Sequence, residues 1–294
     1  MAPAPPTPKP AAAPPSTLPP LKILMLHGFT QSPTLFHAKT RALSKALSKP
    51  YPNLHLSYVP APHRLAVADI PGYNPEALDM PISEALEAYG WWRRKDQIMK
   101  DGQGKEAEAE VVYEGIERGL QSVADCIREE GPFDGVVGFS QGAAAAAMVA
   151  SLLEGRTRKD AFEKAEAQGG IPYPSSFRGE VDGLVQAPLK FAVCYSGFRA
   201  PGRLYKAFYE PHIRTEVLNV LGQVDVVVDE VRGMQLVNVC EGGEERVVVH
   251  PGGHFVPSQK PWLDAVVGFI KQRMEGEGKT DKIEERVEDM DVPF

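Results

Sequence analysis

Cysteine is scarce. Cys126, Cys194 and Cys240 are the three in 294 residues; none stands in C-x-x-C spacing, and an odd number cannot all pair. That argues against a disulfide scaffold or a thiolate metal cluster, and free buried thiols suit a reducing compartment. Positive charge is not in excess either. Against 39 Asp and Glu there are 32 Lys and Arg, a formal net charge of −7, and nothing in that balance favours nucleic acid or an anionic membrane surface as a partner. No apolar run is long enough to span a bilayer. The seven histidines make no H-x-x-x-H pair on an expected helix (His250 and His254 have that spacing but flank Pro-Gly-Gly), and the glycines after the first apolar run make no G-x-G-x-x-G. The sequence therefore calls for no metal and no cofactor.

Residues Met1 to Pro20 are nearly all Ala, Pro, Ser and Thr, with Lys9 the only charged side chain. They lack the apolar centre of a signal peptide and the arginines of an amphipathic presequence, so a disordered, partly polyproline-like leader is expected over 1–20. With no targeting segment in sight, cytoplasm is the expected location, and a nuclear fraction is compatible with it. The acidic residues of 275–294 are expected to form a flexible tail, leaving 21–274 as one domain.

Within 21–274, short apolar runs alternate with helical periodicity. Lys22 to Leu26 and Leu54 to Val59 read as strands. Between them lies a helix that starts at Ser32-Pro33, a favoured N-cap followed by proline at the first helical position, and ends before Pro50. Strand, helix and strand in succession require a parallel sheet. Pro60 to Trp92 is a long irregular stretch expected to form a lid or pocket wall. Trp91 and Trp92 there either line an apolar pocket or anchor the loop. Lys95 to Glu110 reads as a solvated loop or helix start, and a helix is expected from Val111 to Glu130, stopped by Gly131-Pro132. Glu154 to Ala187 reads as an exposed, partly helical insertion. Further strands are expected at Leu189–Tyr195, Thr215–Leu221 and Arg246–Val249. A helix is expected over Asp229–Cys240, with Val231, Met234, Leu236 and Val237 inward, and a terminal helix carries Trp262, Val266, Val267 and Ile270. The alternation predicts a single α/β fold: a mostly parallel central sheet flanked by helices.

The segment Gly138-Phe139-Ser140-Gln141-Gly142 lies between the apolar pair Val136-Val137 and an alanine run. G-x-S-x-G on a strand-to-helix turn is a nucleophile elbow. It lifts a serine hydroxyl to the C-terminal edge of the sheet and points a helix N-terminus at the reaction centre, where free N–H groups favour an oxyanion. The motif alone also arises by chance in glycine-rich chains, so the partners decide. A serine nucleophile needs a base, and the base a carboxylate, in the chain order Ser, acid, His, each just past a strand end. Asp225 and His254 meet both conditions. Asp229 competes with Asp225 but reads better as a helix N-cap. His250 competes with His254, but stands at the strand end itself rather than on the glycine-flanked loop. His27 is expected to fix the first loop, and His37, His55, His63 and His212 to be surface or packing residues. Two backbone donors complete the constellation: the Gln141 N–H and, from the loop after the first strand, the Phe29 N–H, with Thr30 as the alternative. The Gln141 side chain is expected to pack or hydrogen-bond locally.

Several stretches together carry a resemblance. Leu26-His27-Gly28-Phe29-Thr30-Gln31, Phe36-His37-Ala38-Lys39-Thr40, Gly131-Pro132-Phe133-Asp134-Gly135 through Ala144, Tyr195-Ser196-Gly197-Phe198 and His250-Pro251-Gly252-Gly253-His254-Phe255-Val256-Pro257 are similar to the fungal-type family of serine hydrolases (FSH). The resemblance runs from about Leu21 to about Met274. It implies an α/β-hydrolase fold of the carboxylesterase and thioesterase branch, with Ser140 as nucleophile, Asp225 as acid and His254 as base. Some family members are fused to a dihydrofolate reductase, for which this chain is too short. The expected activity is hydrolysis of a small-molecule carboxylic ester or thioester through an acyl-enzyme. A narrower alternative is a thioesterase releasing an acyl or polyketide chain from an acyl carrier protein. A non-catalytic binding protein on the same scaffold has no need of all three side chains.

Overall fold

A computed structural model describes residues 20–66, 69–70, 87–100 and 106–275. The expected leader, apart from Pro20, and the tail beyond Glu275 lie outside the described residues, as does most of the proposed lid (67–68 and 71–86).

The strands are β1 (Lys22–Leu26), β2 (His55–Val59), β3 (His63–Arg64), β4 (Tyr89–Gly90), β5 (Arg93–Lys100), β6 (Glu106–Glu114), β7 (Gly135–Phe139), β8 (Arg178–Val181), β9 (Phe191–Tyr195), β10 (Glu216–Gly222) and β11 (Val247–His250). The helices are α1 (Pro33–Lys39), α2 (Arg41–Leu47), α3 (Ile116–Glu130), α4 (Gln141–Leu152), α5 (Arg156–Glu166), α6 (Glu230–Val237) and α7 (Lys260–Glu275). Six strands form one sheet in the order β11-β10-β9-β7-β1-β2, and every pairing in it is parallel. The inner strands β7 and β9 are buried at every position, as near-continuous apolar runs require when helices cover both faces. One core layer joins α3 and α4 to one face of the sheet; the other joins α1, α2 and α7 to the opposite face. All six C-terminal strand ends therefore share one edge, where ligands bind in open parallel sheets. No helix among the described residues is long and apolar enough to cross a membrane.

Four expectations need correction. The helix expected from Ser32 to Leu47 divides at Thr40, whose hydroxyl bonds back to the Phe36 carbonyl at 2.8 Å; such back-bonding bends helices. Ser32 caps α1 as expected, accepting from the Leu35 N–H. The stretch read as solvated loop and helix start is an antiparallel hairpin, β5 with β6, so Val111 to Glu114 belong to a strand and α3 begins at Ile116. The Glu154–Ala187 segment is not simply exposed. Glu154 and Arg158 form a buried ion pair at 2.7 Å, Glu154 accepts from the Arg214 and Thr215 amides, and Phe162 and Phe177 are fully buried. The fourth is Val231, which lies on the exposed side of α6 while Leu236 and Val237 face inward.

Candidate active site

The elbow is built by close approach. Ser140 has φ 53° and ψ −120°, a left-handed conformation that costs a non-glycine residue about 1–3 kcal/mol. A Cβ on Gly138 would come within 2.2 Å of the Gly142 carbonyl oxygen. The Ser140 N–H donates to the Tyr195 carbonyl at the end of β9, and the Ser140 carbonyl receives the Ala143 and Ala144 amides. The hydroxyl therefore stands between β7 and α4, and the residue is 9% exposed.

Three side chains expected at the site come together. The His254 Nε2 lies 2.9 Å from the Ser140 Oγ, and the His254 Nδ1 lies 2.7 Å from the Asp225 Oδ2. The other Asp225 oxygen accepts the Val227 and Val228 amides at 2.9 Å each. Burial works to raise the Asp225 carboxyl, but the bonds from His254 and the Val228 amide outweigh it and hold the group below the ordinary carboxylate range. The His254 ring packs at 4.8 Å on Phe139. Ser140 and His254 are 114 residues apart in the chain; the parallel sheet brings their loops to the same edge.

The competitors have other partners. Asp229 caps α6, accepting from the Arg232 N–H at 2.9 Å. His250 is buried at the end of β11, accepts the Gly252 N–H on Nδ1 and packs against Phe255. His27 bridges the first loop to the chain after β2: its Nδ1 donates to the Gly28 carbonyl and its Nε2 accepts the Ala61 N–H. Burial pushes it down to about 4, against the raising effect of the Gly28 bond. His55 and His63 also bond outside the site, to Glu130 and to the Gly115 carbonyl. Among the described residues no group of three or more His, Cys, Asp or Glu is placed to hold a metal.

Of the expected backbone donors, the Thr30 N–H is taken by the Tyr89 carbonyl at 2.9 Å, whereas the Phe29 and Gln141 amides have no partner among the described residues. The Gln141 side chain departs from expectation. It does not bond locally: its Oε1 accepts the Trp91 N–H at 2.8 Å and its Nε2 donates to the Trp92 carbonyl at 3.0 Å. Trp91 and Trp92 are themselves buried, and the Trp91 indole donates to the His27 carbonyl. They anchor the loop rather than line an open pocket.

The rim around the acid and histidine carries several apolar side chains among polar ones such as Gln223, Asp229 and Glu230. Val224, Val226 and Val227 on the Asp225 loop, Val231 on α6, Val249 on β11 and Phe255 beside His254 are all exposed. Beside them is a cavity of about 310 Å3 of mixed lining, with Leu221, Val228, Met234, Val247 and Val249 on its apolar side and Ser196, Gln223, Asp229 and Glu230 on its polar side.

Comparison with known proteins agrees with this architecture. A family described as "Serine hydrolase (FSH1)" matches residues 16–266. The zebrafish (Danio rerio) protein named Esterase OVCA2 is 30% identical over 256 residues, covering 86% of this chain and 97% of that one. Family of serine hydrolases 3 of Saccharomyces cerevisiae is 30% identical over 264 residues, covering 88% and 86%. Among solved structures, acyl-protein thioesterase 2 of Zea mays aligns over 89% of this chain and 97% of its own with a TM-score of 0.51 at 19% identity, a likeness of fold. With most of its length matched by the family and its sheet and elbow arranged as an α/β-hydrolase, this chain belongs to the FSH1 family of serine hydrolases.

Proposed function

We propose that this chain hydrolyses carboxylic esters or thioesters through an acyl-enzyme on Ser140, with His254 as general base and acid and Asp225 as its orienting carboxylate. The observation that carries the reading is the continuous hydrogen-bonded chain from the Ser140 Oγ through His254 to Asp225. Asp225 holds the proton on Nδ1, which leaves Nε2 free to take the Ser140 proton as Oγ attacks the acyl carbon. The Gln141 and Phe29 N–H groups bind the oxygen that becomes negative. The intermediate collapses with release of the alcohol or thiol, which takes the proton from His254 Nε2. Water then gives a proton to the same nitrogen and attacks the acyl carbon, and the carboxylic acid leaves as Ser140 regains its hydrogen. The exposed valines around Asp225 favour an acyl group with an apolar chain over a charged one.

The test is labelling with a fluorophosphonate probe, wild type beside Ser140→Ala, followed by p-nitrophenyl esters and acyl thioesters of graded chain length. Stoichiometric labelling lost with Ser140 is expected. Absence of labelling in folded wild type would overturn the proposal. The leaving-group profile separates a general esterase from a thioesterase acting on a carrier-bound chain.

A further inference from the structure

The two amides assigned to the oxyanion come from different parts of the chain, and the segment Tyr89–Trp92 joins them, held on one side by the first loop and on the other by the Gln141 side chain. Phe29 lies on the loop after β1, while Gln141 is the first residue of α4. Between the two runs the segment Tyr89–Trp92. On one side Tyr89 pairs with the first loop in both directions: the Thr30 N–H donates to its carbonyl at 2.9 Å, and its own N–H donates to the Gln31 carbonyl at 3.1 Å. The Gln31 side chain in turn accepts the Gly28 N–H, and the Trp91 indole donates to the His27 carbonyl at 2.8 Å. On the other side the Gln141 carboxamide engages the same segment with both of its ends, at 2.8 and 3.0 Å. The circuit is buried: Trp91, Trp92, Gln31 and Gln141 are all nearly closed to solvent.

We infer that the Gln141 side chain is a positioning residue that fixes the spacing and direction of the two oxyanion donors. The inference rests on the acyl-enzyme reading above. A primary carboxamide presents one acceptor and a donor on a planar group, as a peptide does, and so completes the Trp91 N–H and the Trp92 carbonyl together. An apolar side chain leaves both buried groups unpaired, and a carboxylate sets a charged oxygen against the Trp92 carbonyl. Oxyanion donors act through geometry fixed before the reaction, so an error of placement appears in the transition state rather than in substrate binding.

The experiment compares wild type, Gln141→Met and Trp91→Phe. The first keeps the Gln141 backbone amide and removes only the carboxamide; the second removes the indole bond that holds the opposite half of the circuit. Removing a whole oxyanion donor costs on the order of 100- to 1,000-fold in kcat, so displacing one is expected to cost about 10- to 100-fold. Gln141→Met should lose that factor in kcat with KM held. It should still label to full stoichiometry with the fluorophosphonate, and should bind a trifluoromethyl ketone, which forms a serine-bound oxyanion, more weakly by the same factor. Trp91→Phe should shift kcat and ketone affinity together in the same way, by a smaller factor, and decides the question if Gln141→Met does not fold. A kcat within twofold of wild type in the folded variants, or a loss confined to KM or to the amplitude of labelling, overturns the inference. Failure of wild type itself to label removes the acyl-enzyme reading instead, and this inference with it.

Discussion

A Cβ placed on Gly142 would sit 2.1 Å from the Leu26 carbonyl oxygen and 2.4 Å from that of His27. Both obstacles are backbone at the end of β1, so neither can rotate away. Gly142→Ala must push α4 off the sheet, and with it the Gln141 amide one residue earlier. We expect a stability loss of about 3 kcal/mol, a Tm lower by roughly 10 °C, and a fall in kcat larger than the stability loss explains. Calorimetry beside single-turnover acylation checks both. A Gly142→Ala enzyme with wild-type acylation would show that α4 does not set the donor.

The two aspartates on the loop after β10 should separate cleanly. Asp225→Asn leaves His254 without its carboxylate and places an amide against two backbone donors, so kcat should drop about 10,000-fold. Asp229→Ala removes only the cap of α6 and should cost about 1 kcal/mol of stability with activity kept. Steady-state kinetics and urea melts of both variants suffice; the reverse pattern would reassign the acid.

His27 makes stability depend on pH. Its folded value is about 4 against 6.5 in the unfolded chain, so between those values the unfolded state binds the extra proton. Stability contributed by neutral His27 is full above pH 6.5 and is lost as pH falls toward 4, by roughly 3 kcal/mol in total. Urea titrations from pH 7 to 4 should show that slope, and His27→Gln should flatten it. An unchanged slope in His27→Gln would place the proton uptake elsewhere.

Arg158 is fully buried, with Glu154 and the carbonyls of Ala207, Pro211 and His212 as its partners. Arg158→Ala strands the Glu154 charge and should destabilise by about 3–5 kcal/mol, with kcat per folded molecule unaffected because the pair is remote from Ser140. Denaturant melts and active-site titration test the two halves separately.

The valine rim predicts chain-length dependence. Val226 is 92% exposed and Val231 69%. Covering part of one valine contributes about 1 kcal/mol. The double variant Val226→Ser, Val231→Ser should lower kcat/KM for a decanoyl ester about 30-fold and leave an acetyl ester unchanged. Equal losses on both esters would mean that the rim does not meet the acyl chain.

Most of the sheet was legible because buried parallel strands announce themselves as short apolar runs between glycines and prolines, as at Gly135–Phe139 and Phe191–Tyr195. Ser140, Asp225 and His254 could be picked out because each follows such a run. The hairpin β5–β6 was misread because its residues are charged, yet Glu106-Ala-Glu-Ala-Glu alternates with the period of a strand. Val231 was misplaced because apolar residues in a short helix read as inward when one face belongs to the rim. The Gln141 contacts with Trp91 and Trp92 span 50 and 49 residues, and no local pattern records a bond of that range.

Every residue of α4, from Gln141 to Leu152, is buried, and five consecutive alanines fill the space where larger side chains would hold neighbouring layers apart. The helix behind Ser140 thus has little room to grow: at Gly142 an added Cβ already meets the Leu26 and His27 carbonyls. Heritable change in what this enzyme accepts finds more room on the sheet edge, where exposed side chains such as Val226 and Val231 can be exchanged while the Val227 and Val228 amides keep their hold on Asp225. The alanine run separates what must stay constant from what is free to diverge.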